Sequence, residues 1–128
     1  MAIIRLGIVA ADKLHLQVAL AGLTAIDRAL LKLYGGEVPP LYQSGVVYKP
    51  EHPDEWESLD ILLARGSGDC EDLAAWRAAE LQEQGVQAFA TVYNVRANKW
   101  HAIVRLPDGS TEDPSKVLGM NRYVRRRA

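Results

Sequence analysis

Cys70 is the only cysteine among the 128 residues, so no internal disulfide can form and a small cross-linked secreted scaffold is excluded. A reducing, cytoplasmic setting is therefore expected. Histidine is nearly as scarce. His15, His52 and His101 are scattered, no second cysteine accompanies them, and calcium-loop spacing is absent, so neither a metal site nor a cofactor is expected. No uninterrupted apolar run approaches the roughly 18–20 residues of a membrane span, and no membrane partner is expected. The start, Met1 to Ala11, carries Arg5 inside a short alternating run and reads as a strand, not a signal peptide. A net charge of −1 gives no general reason to bind nucleic acid. The one basic cluster, Arg122, Arg125, Arg126 and Arg127, reads as a solvated tail. Internal repeats and low-complexity tracts are also missing.

What remains is an ordinary globular composition, 48% hydrophobic and 24% charged, at the length of one domain spanning residues 1–128. Ala2 to Val9 reads as a strand. Asp12 then caps a helix from Lys13 to about Tyr34, with Leu16, Leu20, Leu23, Leu30 and Leu33 near helical spacing and Gly35-Gly36 ending it. His15, alone at the start of that helix, reads as a surface residue. Prolines keep residues 39–53 irregular. Asp54 is the expected cap of a second helix, Glu55 to Ala64, with Trp56, Leu59, Leu62 and Leu63 inward. The turn Arg65-Gly66-Ser67-Gly68 leads into a third helix, Cys70 to Gln84, stopped by Gly85. Leu73, Ala74, Arg77 and Leu81 continue an inward stripe from Cys70, and Ala74, Ala75, Ala78 and Ala79 permit close approach of a sheet. Val86 to Val95 and Trp100 to Leu106 read as a hairpin, and the turn at Pro107 to Ser110 leads to a short strand ending at Asp113. Helices first and an antiparallel sheet after them make an α+β fold.

The glycine-rich turn places Cys70 at a helix N-terminus, where the helix dipole lowers a thiol pKa from its usual value of about 8.5. His101 on the following hairpin supplies a candidate base. Asp113, on the strand after the next turn, is a candidate orienting carboxylate; counted from Asp108-Gly109 it is not directly opposite His101, and a bulge or offset register would make the two diagonal neighbours. Asp69 is the expected cap of this helix and Glu71 and Asp72 complement its dipole, but as like charges the three disfavour a thiolate. Trp76 and Trp100 read as core aromatics, Trp100 being the better candidate to line a cleft.

Gly68-Asp69-Cys70-Glu71-Asp72-Leu73-Ala74, His101-Ala102-Ile103-Val104 and Asp113-Pro114-Ser115 together resemble the transglutaminase-like superfamily, in particular small stand-alone members from bacteria and their phages. The resemblance covers roughly residues 65–120. It implies a papain-like core, a central cysteine-bearing helix packed on a small antiparallel sheet. Cys70, His101 and Asp113 would serve as nucleophile, base and orienter. The implied activity is hydrolysis or acyl transfer on a peptide, isopeptide or related amide through a thioester. A virion-associated location goes with a phage origin. The alternative is a non-catalytic binding or virion structural protein that keeps the fold. The Cys70 backbone N–H is one expected oxyanion donor, and Gln43, Tyr42 and Tyr48 are open candidates for the second.

Overall fold

The computed structural model describes residues 5–7, 12–50, 55–96 and 99–121. In chain order it contains β1 (Arg5–Gly7), α1 (Lys13–Tyr34), β2 (Val47–Tyr48), β3 (Glu55–Glu57), α2 (Leu59–Arg65), β4 (Ser67–Gly68), α3 (Cys70–Glu83), β5 (Phe89–Arg96), β6 (Lys99–Arg105), β7 (Thr111–Glu112) and α4 (Pro114–Val117). Short 3-10 turns occupy Gly35–Glu37 and Leu41–Gln43. The architecture is α+β. The expected cap Asp54, His52 and the basic tail residues Arg122, Arg125, Arg126 and Arg127 lie outside the described residues.

The main sheet is the antiparallel meander β5-β6-β7. Two small ladders accompany it, β1 antiparallel to β3 and β2 parallel to β4. The second of these was hidden within what reads as irregular chain and a turn. Tyr48 pairs with Gly68, and the Lys49 N–H donates to the Gly68 carbonyl at 2.9 Å. Gly68 is confined there: a Cβ on it would lie 3.0 Å from Leu62 Cδ2 and 3.3 Å from Leu73 Cδ2.

Helix α3 is the centre of the domain. Ala74, Ala75, Ala78 and Leu81 join Leu16, Leu20 and Leu23 of α1 and Ala90, Val92, Ala102 and Val104 of the sheet in one core. Leu73 and Trp76, on the other side of α3, pack with Leu30, Leu41, Leu59 and Leu62 in a second. The alanines let α1 and the sheet approach closely, as expected. A helix buried on both sides has no single apolar stripe. Arg77 accordingly departs from the inward stripe: it is half-buried and ion-paired to Glu80 and Glu112.

The expected helix at 55–64 begins later. Glu55–Glu57 extend against β1, the Glu57 N–H donates to the Asp72 carboxylate at 2.8 Å, and Ser58 becomes the N-cap of α2. Trp56, Leu59 and Leu62 are buried as expected, so tertiary pairing replaced one turn of helix without moving the apolar residues out of the core. Gly66, at φ +85, ends α2 in the left-handed conformation that favours glycine. In α1, Asp12 caps as expected, accepting from the His15 N–H at 2.9 Å. Leu33, however, is 71% exposed and lies off the core-facing side. By length and composition α1 is apolar enough to cross a membrane, with only a third of its most apolar stretch buried.

Candidate active site

Asp69 and Asp72 form a capping box at the mouth of α3. One result bears directly on chemistry. The Cys70 N–H, expected to be available to an oxyanion, donates to Asp69 Oδ1 at 2.7 Å. The thiol is engaged by the next acid, donating from Sγ to Glu71 Oε2 at 2.9 Å. Two carboxylates on either side of Cys70 therefore hold both of its donors. Asp69 caps the helix as expected, but its bond to the Cys70 amide and the Glu71 bond to the thiol were not foreseen. The adjacency of Asp-Cys-Glu at a helix start was the available signal, since such side chains are short enough to fold back on the first turn.

Ladder geometry explains how the thiol meets the sheet. Val92 sits opposite Ala102, and the Val92 N–H turns outward to Gln17 Oε1 at 2.8 Å. In an antiparallel ladder a pair whose amide turns outward is a non-hydrogen-bonded pair, so the Ala102 N–H points the other way, toward β7. Strand β7 pairs only with Val104 and Arg105, which leaves the β6 edge open at Ala102. The mouth of α3 fills that gap and brings the Cys70 sulfur to the Ala102 amide, which acts to lower the thiol pKa.

His101 is the preceding residue on β6. Its Nε2 lies 2.8 Å from Asp113 Oδ2. Continuing the β6–β7 register places Asp113 opposite Ile103, so the register meets the condition for Asp113 and His101 to be diagonal neighbours on one face. Asp113 is not a strand residue, though. It is the N-cap of α4, and its Oδ1 accepts from the Lys116 N–H at 3.3 Å. A Pro at N1 immediately follows and favours that helix start. One carboxylate thus caps a helix with one oxygen and holds an imidazole with the other. The ring of Tyr93, directly across the ladder, contacts His101 edge-on with centroids 5.5 Å apart.

The electrostatics divide the site in two. Burial pushes the Cys70 thiol well above its ordinary range, and the Glu71 and Asp69 charges and the Glu71 hydrogen bond push it further; the Ala102 amide opposes them. For Asp113, burial favours the neutral acid, but the bond and charge of His101, with the Lys116 amide and charge, outweigh it and hold the carboxyl below the usual range. No hydrogen bond joins Cys70 to His101. The thiol side rests protonated while the carboxylate of the imidazole pair is ionised.

The three candidates for a second oxyanion donor separate. The Tyr42 hydroxyl donates to Glu112, and Arg77 stacks 4.9 Å above its ring, so Tyr42 belongs to the network that fastens β7 to α3. Burial and the Glu112 bond raise its phenol pKa further above normal. Gln43 is exposed on a 3-10 turn. Tyr48 is half-buried, lies across the β2–β4 ladder two residues before Cys70, and packs against both cores. Trp100 is half-buried against the core that contains Cys70, while Trp76 is wholly buried. Asp69, Cys70 and Glu71 bring one ligand atom each within 4.8 Å of one another, the one such group among the described residues. Their own hydrogen bonds occupy these atoms, and nothing further designates a metal site.

No protein-family model, curated protein or solved structure matches the chain.

Proposed function

We propose that the protein is a cysteine-dependent hydrolase or acyltransferase with a papain-like arrangement, acting on a peptide, isopeptide or related amide. One observation carries this reading. The sulfur of Cys70 lies against the backbone amide of Ala102, next in the chain to a buried histidine whose Nε2 is 2.8 Å from a carboxylate. On this reading Cys70 is the nucleophile, His101 the base and Asp113 the orienter.

The chemistry begins from the neutral thiol. His101 takes the Sγ proton as sulfur attacks the carbonyl carbon, and the carbonyl π pair moves to oxygen. Asp113 stabilises the imidazolium and keeps the ring in place. The imidazolium then protonates the departing amine nitrogen as the C–N bond breaks, leaving a Cys70 thioester. Water, deprotonated by the same imidazole, releases the acid. Turnover requires Glu71 to give up the thiol proton and Asp69 to release the Cys70 amide for the oxyanion. Tyr48 is the candidate second donor.

The competing reading is a binding or virion structural protein whose thiol is idle, and the Glu71–Cys70 bond favours it. Acylation separates the two. The protein would be incubated with activated esters and a peptide library, acid-quenched, and mapped by mass spectrometry. Enzyme chemistry gives an acyl adduct on Cys70 that is lost in His101→Ala. A native Cys70 that stays unacylated by every reagent, yet reacts after denaturation, would overturn the catalytic reading.

A further inference from the structure

His101 is closed on most sides, and the side left open has a chemistry of its own. Its Nε2 is held by Asp113 Oδ2 on the β7 side, so Nδ1 is the nitrogen left to move a proton, and it bonds none of the described residues. Ile103, the next residue on this face of β6, is buried. On the β5 side stands Tyr93, directly opposite His101 in the ladder and so on the same face, its ring edge-on to the imidazole. His101 is 5% exposed and Tyr93 43%, so the tyrosine ring is the part of this pair that solvent reaches.

Strand β5 also departs from the usual alternation here. An antiparallel strand with one packed face ordinarily turns polar residues outward. Ala90 and Val92 face the core, but Tyr93 and Val95, on the opposite face, are apolar as well, and Val95 is 52% exposed. The ladder slips at the same point: Asn94 pairs with Trp100 and Arg96 with Lys99, which leaves Val95 as the extra residue of a bulge. Bulges re-aim a side chain and are over-represented beside active sites. Thr91, buried with its hydroxyl donating to Gln17 Oε1 at 2.9 Å, separates Tyr93 from Phe89 on this face. The apolar strip beside His101 is therefore short, running from the ring that touches the imidazole to the bulge.

We infer that Tyr93 and Val95 form the subsite for the leaving amine, and that the scissile amide carries an apolar or aromatic group on its nitrogen side. In a peptide this group is the side chain of the residue after the scissile bond. The inference rests on the proposed cysteine chemistry. There the imidazolium hands its proton to the departing nitrogen, which must lie within hydrogen-bond reach of His101 with its substituent against whatever borders the ring. Asp113 and the buried Ile103 take two borders and Cys70 holds the acyl part. Tyr93 and Val95 are what remain for the amine.

The test varies the leaving group on one acyl part. Single-turnover acylation of Cys70 would be timed by acid quench and mass spectrometry, for peptides with Phe, Leu, Asp or Gly after the scissile bond and for the matching methyl ester. Phe and Leu should react about tenfold faster than Asp or Gly, the size of one apolar contact. Tyr93→Ala and Val95→Asp should bring that ratio close to one, and Tyr93→Phe, which keeps the ring, should preserve it. Because the ratio is taken within each variant, a general loss from disturbing His101 cancels. Binding is read separately from the ring resonances of Tyr93 and His101 in the wild-type chain, titrated with phenylalaninamide and with glycinamide. Tighter binding of the first, lost in Val95→Asp, supports the subsite. Acylation by the ester without leaving-group preference overturns the inference and leaves the cysteine chemistry standing. Phenylalaninamide binding without acylation by any substrate supports the strip as an amine site and overturns the chemistry instead. Neither binding nor preference overturns the inference, and so does self-association of the chain that Val95→Asp abolishes, which would give the strip to a second copy.

Discussion

Replacing Glu71 by Gln tests the description of Cys70 most directly. The side chain keeps its size and its capacity to accept a hydrogen bond, so the change is chiefly one of charge. Glu71 Oε2 lies 2.9 Å from the sulfur and both residues are buried. Two unit charges about 4 Å apart at an effective dielectric constant of about 20 repel by about 4 kcal/mol. At about 1.4 kcal/mol per pKa unit, that is an upper bound of roughly three units on the thiol. The midpoint of iodoacetamide alkylation against pH should therefore fall by about one to three units in E71Q, Asp69 still contributing its share. Stability provides a second readout with a definite sign. A thiol whose folded pKa is raised supports the fold while protonated, so its contribution is intact below the unfolded value of about 8.5 and is lost as pH rises through the folded value. Wild-type protein should thus lose melting temperature above that pH faster than E71Q. A midpoint that stays in place or rises in E71Q would show that Glu71 does not hold the thiol, and the account of the resting site would fall with it.

Three other outcomes are expected. Asp113→Asn should lower Cys70 acylation at neutral pH by a hundredfold or more, judged by comparison with triad mutants. Because the Asp113 carboxyl is held low, its contribution is present above about pH 4 and lost as pH falls through its folded value, so the variant should also show a flatter acid limb in thermal melts. Asp27→Asn should stabilise the protein at pH 8 by about 1 kcal/mol, some 4 °C in calorimetry. Burial holds the Asp27 carboxyl well above its normal pKa, one of its oxygens has no hydrogen-bond partner among the described residues, and the Asp60 charge opposes its ionisation; the other oxygen accepts from Leu59 N–H at 2.9 Å, a role the amide oxygen retains. A lower melting point at pH 8 would contradict this. Glu112→Gln should loosen β7 from α3 by removing the charge that binds Arg77, lowering acylation at unchanged pH midpoint; a shifted midpoint would instead give Glu112 a direct part in the titration.

The helices of this protein were largely legible because their signals are local. Asp12 and Gly35 bound α1, and Asp69 with the following acids marks the start of α3 to the residue. The meander also followed from turn spacing and strand period, whereas the diagonal relation of His101 to Asp113 depended on the β6–β7 register, which turn spacing left open. What failed depended on distant chain. Glu55 to Glu57 have helical neighbours, but their backbone bonds go to β1 and to Asp72. Arg77 keeps inward spacing yet is drawn to Glu112, 35 residues away. Periodicity also could not say that α3 is buried on both sides, because alanine is compatible with either environment. At the site, residue types identified the participants but not their partners. The acids beside Cys70 at the helix start were the one local signal; that Glu71 takes the thiol and Asp69 the Cys70 amide depends on side-chain directions set in the folded site.

The placement of the three site residues also orders assembly. His101 and Asp113 are 12 residues apart in a continuous meander, a short loop to close, whereas β2 must find β4 across the whole of β3 and α2. Local closures form early and non-local ones late. We expect the imidazole–carboxylate pair to be present in the folding transition state and the cysteine to be delivered to it last, when the β2–β4 ladder closes. Substitutions in β6 and β7 should then slow folding, while Tyr48→Ala should act mainly by speeding unfolding. A chain that assembles in this order keeps its one thiol away from His101 until the rest of the domain has formed.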